Sequence, residues 1–81
     1  MNHANPISLT ELSVNDHATI LSFRIGRTET NRLASLGLTP GTNVDMSQNY
    51  RHGPLIVTVR GTRIALGRGE AAKILVQRMH E

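Results

Sequence analysis

The stretch of sequence that decides the fold is residues 32–41, which read R-L-A-S-L-G-L-T-P-G. Leu33 and Leu36 are three residues apart, a spacing that puts them on one face of a helix. Gly37 then supplies the left-handed residue with which helices commonly end. A Pro-Gly pair follows at the two central positions of a type II turn. The stretch therefore predicts a helix that stops abruptly and leads through a tight turn into the next element.

The start and the end of this helix carry their own signals. We predict a helix over residues 28–36, with Thr28 as its N-cap and Glu29 in the first turn, where the helix dipole favours an anion. Leu38 follows Gly37 at the position where a Schellman motif places an apolar contact. Leu33, Leu36 and Leu38 are accordingly expected to pack into the core.

The rest of the sequence predicts strands. Alternating apolar residues predict five of them, over residues 17–25, 43–50, 55–60, 63–66 and 73–78. A bulge near Leu21 lets both Ile20 and Phe23 reach the core. Before the first strand, Ser8 and Glu11 have the spacing of a capping box. Five short strands with one short helix inserted after the first predict an all-β fold, a small and partly open barrel.

The turns between the strands divide the chain further. Residues 51–54 predict one turn, and Gly61-Thr62 is predicted to form a two-residue type II′ hairpin. That hairpin would place Arg60 directly opposite Arg63 on the neighbouring strand. Like charges in this arrangement are normally unfavourable, so the pair is a candidate positive patch, with Arg68 nearby, for an acidic partner or for lipid headgroups. The alternative is that both side chains simply extend into water.

Length and composition restrict the kind of protein. The chain has 81 residues, enough for one domain, and we expect a flexible tail at residues 1–6 and one domain at 7–81. No apolar run approaches the roughly 20 residues that cross a bilayer. There is no secretory signal, so a cytoplasmic location is expected. There is also no cysteine, which excludes disulfides and is only compatible with that location.

The charge is positive but diffuse. The net charge is +3, while the pI of about 10.7 is high because nearly all the basic residues are arginines and Lys73 is the only lysine. Clustered charge is typical of nucleic-acid binding, which is therefore not expected. Only Phe23 and Tyr50 are aromatic, too few for a proline-rich peptide groove or a base-stacking surface.

Residues 32–41 resemble the R-L-x-x-L-G-[LM]-x-P-G signature of the ferrous iron transport protein A (FeoA) family. Further similarities occur in matching order at residues 9–12, 18–20, 53–55, 64–66 and 70–76, so that the resemblance covers residues 7–77. It implies an SH3-like barrel and a non-catalytic cytosolic accessory of ferrous iron transport protein B (FeoB), a membrane permease with a GTP-binding domain. Asn15-Asp16, where many members carry a glycine, and Gly67, where a larger residue is common, depart from the family pattern.

The resemblance extends to a second class of protein. The C-terminal domain of diphtheria-toxin-repressor-type metalloregulators is similar to the same module. The alternative function is therefore a stand-alone domain of this type that binds a transcription factor or nucleic acid. This chain has no room for the helix-turn-helix of those regulators, which counts against the alternative.

Reactive side chains are scattered along the chain. The histidines, His3, His17, His52 and His80, have no spacing typical of metal ligands, so we predict no metal site and no cofactor. No acidic residue neighbours a histidine in a way that suggests a catalytic relay, and no G-x-x-x-x-G-K-[ST] loop is present. No catalytic residue is predicted, and the protein is not expected to be an enzyme.

The helix and its exit form the second candidate surface, because an SH3-like barrel has few other features outside its sheet. Together with the two arginines of the hairpin, the candidate partner-binding residues are Arg32, Leu33, Ala34, Leu36, Thr39, Pro40, Gly41, Arg60 and Arg63. Edge strands of the open barrel could also pair between copies and give a homo-oligomer.

Overall fold

The protein, for which we have a computed structural model, is described over residues 5–50 and 52–79. One six-stranded antiparallel sheet, in the order β1-β6-β2-β3-β4-β5, curls around a single core. Its elements are β1 (Ile7–Ser8), a 3-10 turn (Leu9–Glu11), β2 (His17–Phe23), α1 (Arg27–Ser35), β3 (Asn43–Gln48), β4 (Leu55–Val59), β5 (Thr62–Leu66), α2 (Arg68–Ala71) and β6 (Ile74–Arg78). The predicted all-β, partly open barrel is confirmed. The two-residue β1 is added to the five predicted strands, and the helical turn that the sequence also predicts over residues 70–72 occurs as α2.

Two of the predictions fall partly outside these residues. Most of the expected tail, residues 1–4, lies outside the described residues, as does Arg51 of the predicted 51–54 turn. Within the described part, Gly53 has a positive φ of 82°, as a tight turn requires.

The inward residues of the strands form the core, as their alternation predicts. Fully buried side chains include Ile20, Val44, Met46, Val57 and Ile74. The register between β2 and β6 shifts between Ile20 and Ser22, which confirms the predicted bulge. As a result Ile20 is buried and Phe23 still packs against the core.

α1 begins one residue earlier than predicted. Its N-cap is Gly26, no side chain caps it, and the N–H of Thr30 donates to the carbonyl of Gly26 at 3.0 Å. Thr28 therefore lies inside the first turn and is not the cap. Glu29 lies in the first turn as expected. Gly26 can act as the N-cap because glycine is among the residues favoured there even without a side-chain hydrogen bond.

The end of α1 is a Schellman motif. The N–H of Leu38 donates to the carbonyl of Leu33 at 2.9 Å, and the N–H of Gly37 donates to that of Ala34 at 2.9 Å. Gly37 has a φ of 93°, and Leu38 is fully buried, as predicted. Leu36 was expected in the core, yet its side chain is 41% exposed. Leu36 is the C-cap and stays at the surface, and the chain reversal at Gly37 brings Leu38 into the core instead.

The β4–β5 hairpin differs from the prediction in its turn and its register. Val59 pairs with Thr62, so the two-residue loop is Arg60-Gly61. Both loop residues have positive φ, 52° and 82°, as in a type I′ turn. The predicted type II′ turn at Gly61-Thr62 is wrong. Arg60 and Arg63 do not face each other, and Arg63 pairs with Thr58.

This register is the better one physically, although the alternation of side chains cannot reveal it. The two registers differ by two residues, so they bury the same face of each strand. The observed register places Leu55 opposite Leu66, both buried, and keeps the two arginines apart. Apolar cross-strand pairs stabilise a hairpin, whereas directly opposed like charges destabilise it.

β5 forms one edge of the sheet. Because Val59 and Thr62 close the two-residue hairpin as a hydrogen-bonded pair, hydrogen-bonded and non-hydrogen-bonded pairs alternate from there. Arg63 and Ala65 consequently turn their backbone N–H and C=O groups away from β4. No described strand pairs with that side of β5.

At the end of the barrel where β3 and β5 finish, side chains hold the elements together. The amide nitrogen of Asn49 donates to the carbonyls of Thr10 and Leu12, at 3.0 and 2.7 Å. The guanidinium of Arg68 donates to the Asn49 amide oxygen at 2.7 Å and to the carbonyl of Gly53 at 3.1 Å. We call this set of contacts the Asn49 latch. It ties the 3-10 turn, the end of β3 and the start of α2 to one another.

Candidate docking groove

The opposite end of the same strands carries a groove of about 670 Å³. Its residues come from the α1 exit, from the outer faces of β3 and β4, and from the β4–β5 turn. They are Thr39, Pro40, Gly41, Thr42, Asn43, Asp45, Thr58, Arg60 and Gly61, and we call this surface the docking groove. The two walls are tight turns, and the floor is the solvent-facing side of the sheet.

The first wall is a rigid turn. The N–H of Thr42 donates to the carbonyl of Thr39 at 3.0 Å, and Gly41 has a φ of 91°, which confirms the predicted type II turn. The backbone of Ile20 fixes this turn to β2, since it accepts from Gly41 at 2.7 Å and donates to Thr42 at 2.9 Å. Pro40 projects from a backbone that is held at both ends, so the wall keeps its shape without a partner.

The floor is polar. Asp45 and Thr58 are cross-strand partners on β3 and β4, and the Thr58 hydroxyl lies 2.6 Å from that of Ser47. The carboxylate of Asp45 is 2.5 Å from Nδ1 of His17, its cross-strand partner on β2. The one carboxylate of the groove therefore already has a partner within the sheet.

The second wall is the Arg60-Gly61 turn. Arg60 is exposed, and no described residue forms an ion pair or a side-chain hydrogen bond with it. The groove thus has a cation on one rim, a proline on the other, and hydroxyl groups between them.

Comparison with known proteins shows what kind of chain this is. Residues 7–78 match the FeoA domain family. The chain belongs to the FeoA family. It is 41% identical over 46 residues to a candidate Fe(2+) transport protein A from Methanocaldococcus jannaschii. That match spans 57% of this chain and 55% of the relative, so the chain matches about half the length of that protein. The family is associated with Fe(2+) transport.

Solved structures agree on the fold of this FeoA-family protein. A crystal structure of an iron uptake regulatory protein, also a FeoA, superposes with a TM-score of 0.87 at 29% identity and covers 93% of this chain and 100% of its own. A manganese-dependent transcriptional repressor superposes with a TM-score of 0.82 at 17% identity, covering 98% of this chain and 45% of the repressor. At so low an identity the second likeness concerns the fold alone.

The structure brings four of the nine candidate partner-binding residues of this FeoA-family chain into one place. Thr39, Pro40, Gly41 and Arg60 all line the docking groove. In the sequence, the first three belong to the helix exit and the fourth to a separate hairpin. Their convergence unites the two surfaces that the sequence predicts separately.

The other five candidates lie elsewhere on the FeoA barrel. The side chain of Leu33 is fully buried, so it supports α1 from the core and does not lie on a surface. Arg32 forms an ion pair with Glu70, whose side chain is 18% exposed. Ala34 and Leu36 are exposed on α1 and its C-cap. Arg63 lies on the edge strand and does not line the groove.

The groove also contains residues that sequence reasoning missed. Asn43, Asp45 and Thr58 were assigned only to strand surfaces, because which strands are neighbours is a tertiary property. A signal was present in the alternation of β3, which predicts Val44 and Met46 inward and therefore Asn43 and Asp45 outward. What the alternation lacks is the partner strand that places Thr58 beside Asp45.

The histidines do not gather. His17 contacts Asp45, and His52 is exposed in the β3–β4 connection. His3 and His80 lie outside the described residues. Among residues 5–50 and 52–79, no three His, Cys, Asp or Glu side chains are placed to hold a metal ion. Neither helix within this part of the chain has the length and apolar character of a membrane span.

Proposed function

We propose that this FeoA-family protein is a non-catalytic, cytoplasmic accessory subunit of a ferrous iron transport system. It binds the cytosolic part of a FeoB-type permease through the docking groove, and the exposed residues Ala34 and Leu36 extend the contact along α1. The observation that supports this most directly is the meeting of the helix-exit residues with Arg60 in one groove with rigid walls.

Binding alone accounts for an effect on transport. A protein that binds one conformation of a permease more tightly than another shifts the balance between them by the difference in binding free energy. Backbone hydrogen bonds to Ile20 already fix the type II turn before binding, so little conformational entropy is lost when a partner binds in the groove. No reactive group, cofactor or nucleotide is needed on this chain for such a mechanism.

The proposal is tested by blocking the groove floor. In Thr58→Lys a long cationic side chain fills the space between the two walls, and the bond to Ser47 is lost, at a cost of roughly 1 kcal/mol of stability. We expect the folded variant to lose co-purification with the detergent-solubilised permease, measured with and without a non-hydrolysable GTP analogue. The control is Ala65→Lys, which adds the same charge at an exposed position outside the groove.

The two variants distinguish docking from general charge effects. Retained binding by Ala65→Lys with loss in Thr58→Lys supports the groove. Equal binding by both variants and the parent would show that the permease docks elsewhere. Absence of permease binding by the parent protein would contradict the proposed function itself.

The fold likeness to the manganese-dependent repressor favours a second candidate, a metalloregulator-type domain that binds a transcription factor or nucleic acid. Duplex DNA binding near physiological salt separates the two candidates. Tight binding there would favour the second, because the net charge of +3 gives little non-specific attraction at that ionic strength.

A further inference from the structure

Arg60 occupies a backbone conformation that its residue type avoids. Its φ is 52°, in the left-handed region. Among the described residues only one other non-glycine residue, Asn15, has positive φ, and asparagine is the type that tolerates this region best. The first central position of a type I′ turn is normally occupied by Asn, Asp or Gly. Arginine at this position strains the backbone locally, and Asn, Asp or Gly would form the same turn with less strain.

The side chain of Arg60 makes no polar contact with any other described residue. Arg60 is exposed and has no ion-pair or hydrogen-bond partner among the described residues. The segment from Pro54 to Gly67, which forms the hairpin, contains no acidic residue. The carboxylate of the groove, on Asp45, is engaged by His17. An unfavourable backbone position thus holds an uncompensated guanidinium at the rim of the docking groove.

We infer that Arg60 is an anchor for a carboxylate of the protein partner, and that the partner segment lying in the docking groove is acidic. This rests on the proposed function, in which the groove is the docking site, and adds the chemistry of the segment that it accepts. Strained residues persist where the position of their side chain is useful. A guanidinium binds a carboxylate through two parallel hydrogen bonds, which a lysine cannot reproduce.

An acidic protein segment fits the groove better than a phosphate surface does. Membranes and nucleic acids are bound by several cations that act together. This groove has a single arginine, flanked by Asp45 and by the hydroxyls of Thr39 and Thr58. One cation, hydroxyl groups and a carboxylate that His17 already engages suit a peptide with one carboxylate near Arg60 and ordinary backbone elsewhere.

The strain provides a test that does not depend on unfolding. Arg60→Asn and Arg60→Gly suit the turn better than arginine does, so both should raise the melting temperature, by several degrees for a domain of this size. Both should weaken binding to the detergent-solubilised permease about ten- to hundredfold, as expected when charge-assisted hydrogen bonds are lost. Arg24→Asn removes the same charge at an exposed position outside the groove and should leave binding unchanged.

A second probe separates this inference from the proposed function. In an NMR titration at about 0.15 M salt, where exposed charges are already largely screened beyond about 8 Å, a capped hexaglutamate peptide should shift the amide signals of Gly41, Thr58 and Gly61. The shifts should disappear in Arg60→Asn, persist in Arg24→Asn, and be absent with hexaglutamine. If the parent protein shows this pattern and does not bind the permease, the proposed function is wrong and the acidic-ligand site remains.

Several outcomes would overturn the inference. One is permease binding that is unchanged in Arg60→Asn. Another is a lower melting temperature in both Arg60 variants, which would remove the argument from strain. A third is Arg60-dependent binding to phosphatidylglycerol vesicles or duplex DNA without any response to hexaglutamate, which would identify a phosphate surface as the ligand.

Discussion

The two ends of the β3–β5 sheet segment use arginine in opposite ways. At one end, Arg68 is half-buried and donates to Asn49 and to the carbonyl of Gly53, so it stabilises the fold. At the other end, Arg60 is exposed, strained and without a partner among the described residues. Arg68 joins the elements at its end of the barrel, whereas Arg60 lies at the rim of the docking groove. The difference separates the contacts that stabilise this barrel from the surface that we propose for binding.

The largest expected effect is a difference in unfolding free energy between two alanine substitutions of asparagine, one at each end of the β3–β5 segment. Asn49→Ala removes the amide that bonds Thr10, Leu12 and Arg68, and it should cost about 3 kcal/mol of unfolding free energy because partly buried groups lose their partners. Asn43→Ala, at the groove, removes one exposed bond to Thr19 and should cost below about 0.5 kcal/mol. Urea denaturation measures both, and equal losses would show that the two ends are not distinct.

Substitution of a glycine in the first wall of the groove should cost less stability. Gly41→Ala meets no atom within 4 Å of the new Cβ, but it places a side chain at a φ of 91°, so it should destabilise by about 1–2 kcal/mol. Gly69→Ala, within α2, also meets nothing within 4 Å and has no positive φ. That control should be neutral or slightly stabilising by thermal denaturation. Similar losses in the two variants would contradict a backbone origin of the effect.

The smallest effect tests the hairpin register that places Arg60 in the turn. In a double-mutant cycle, Thr58→Glu and Arg63→Thr should show a favourable coupling of about 0.3–0.5 kcal/mol between the new carboxylate and Arg63, because the two positions are cross-strand partners. The coupling should decrease as salt is added. Zero coupling at low salt would argue for a different register.

The sequence predicts most of the features that depend on local backbone chemistry, although Gly26 and not the predicted Thr28 is the N-cap of α1. Residues 32–41 define the Schellman end of α1 and the type II turn because Gly37, Pro40 and Gly41 each suit one particular dihedral geometry. The capping box of Ser8 and Glu11 is likewise confirmed. These features need no knowledge of what lies nearby in space.

The errors occur where two local solutions compete and tertiary packing decides between them. The observed Arg60-Gly61 turn and the predicted Gly61-Thr62 turn bury the same face of each strand, so the alternation of side chains cannot distinguish them. The pairing of Leu55 with Leu66 favours the observed turn. Leu36 has the helical spacing of a core residue but lies exposed at the C-cap, and Leu38, after the reversal at Gly37, is buried. The groove itself could not be predicted, since its floor depends on the neighbouring positions of β3 and β4.

The outward edge of β5 has a consequence for the behaviour of the protein at high concentration. No strand in the described part of the chain pairs with the outward N–H and C=O groups of Arg63 and Ala65. Another extended chain can pair with such an edge, and a charged side chain is a common protection against this. The charge of Arg63 therefore opposes edge-to-edge pairing between copies and favours solubility. Without that charge, two copies that approach edge to edge would lack an electrostatic barrier at this position, and pairing between copies would be easier there.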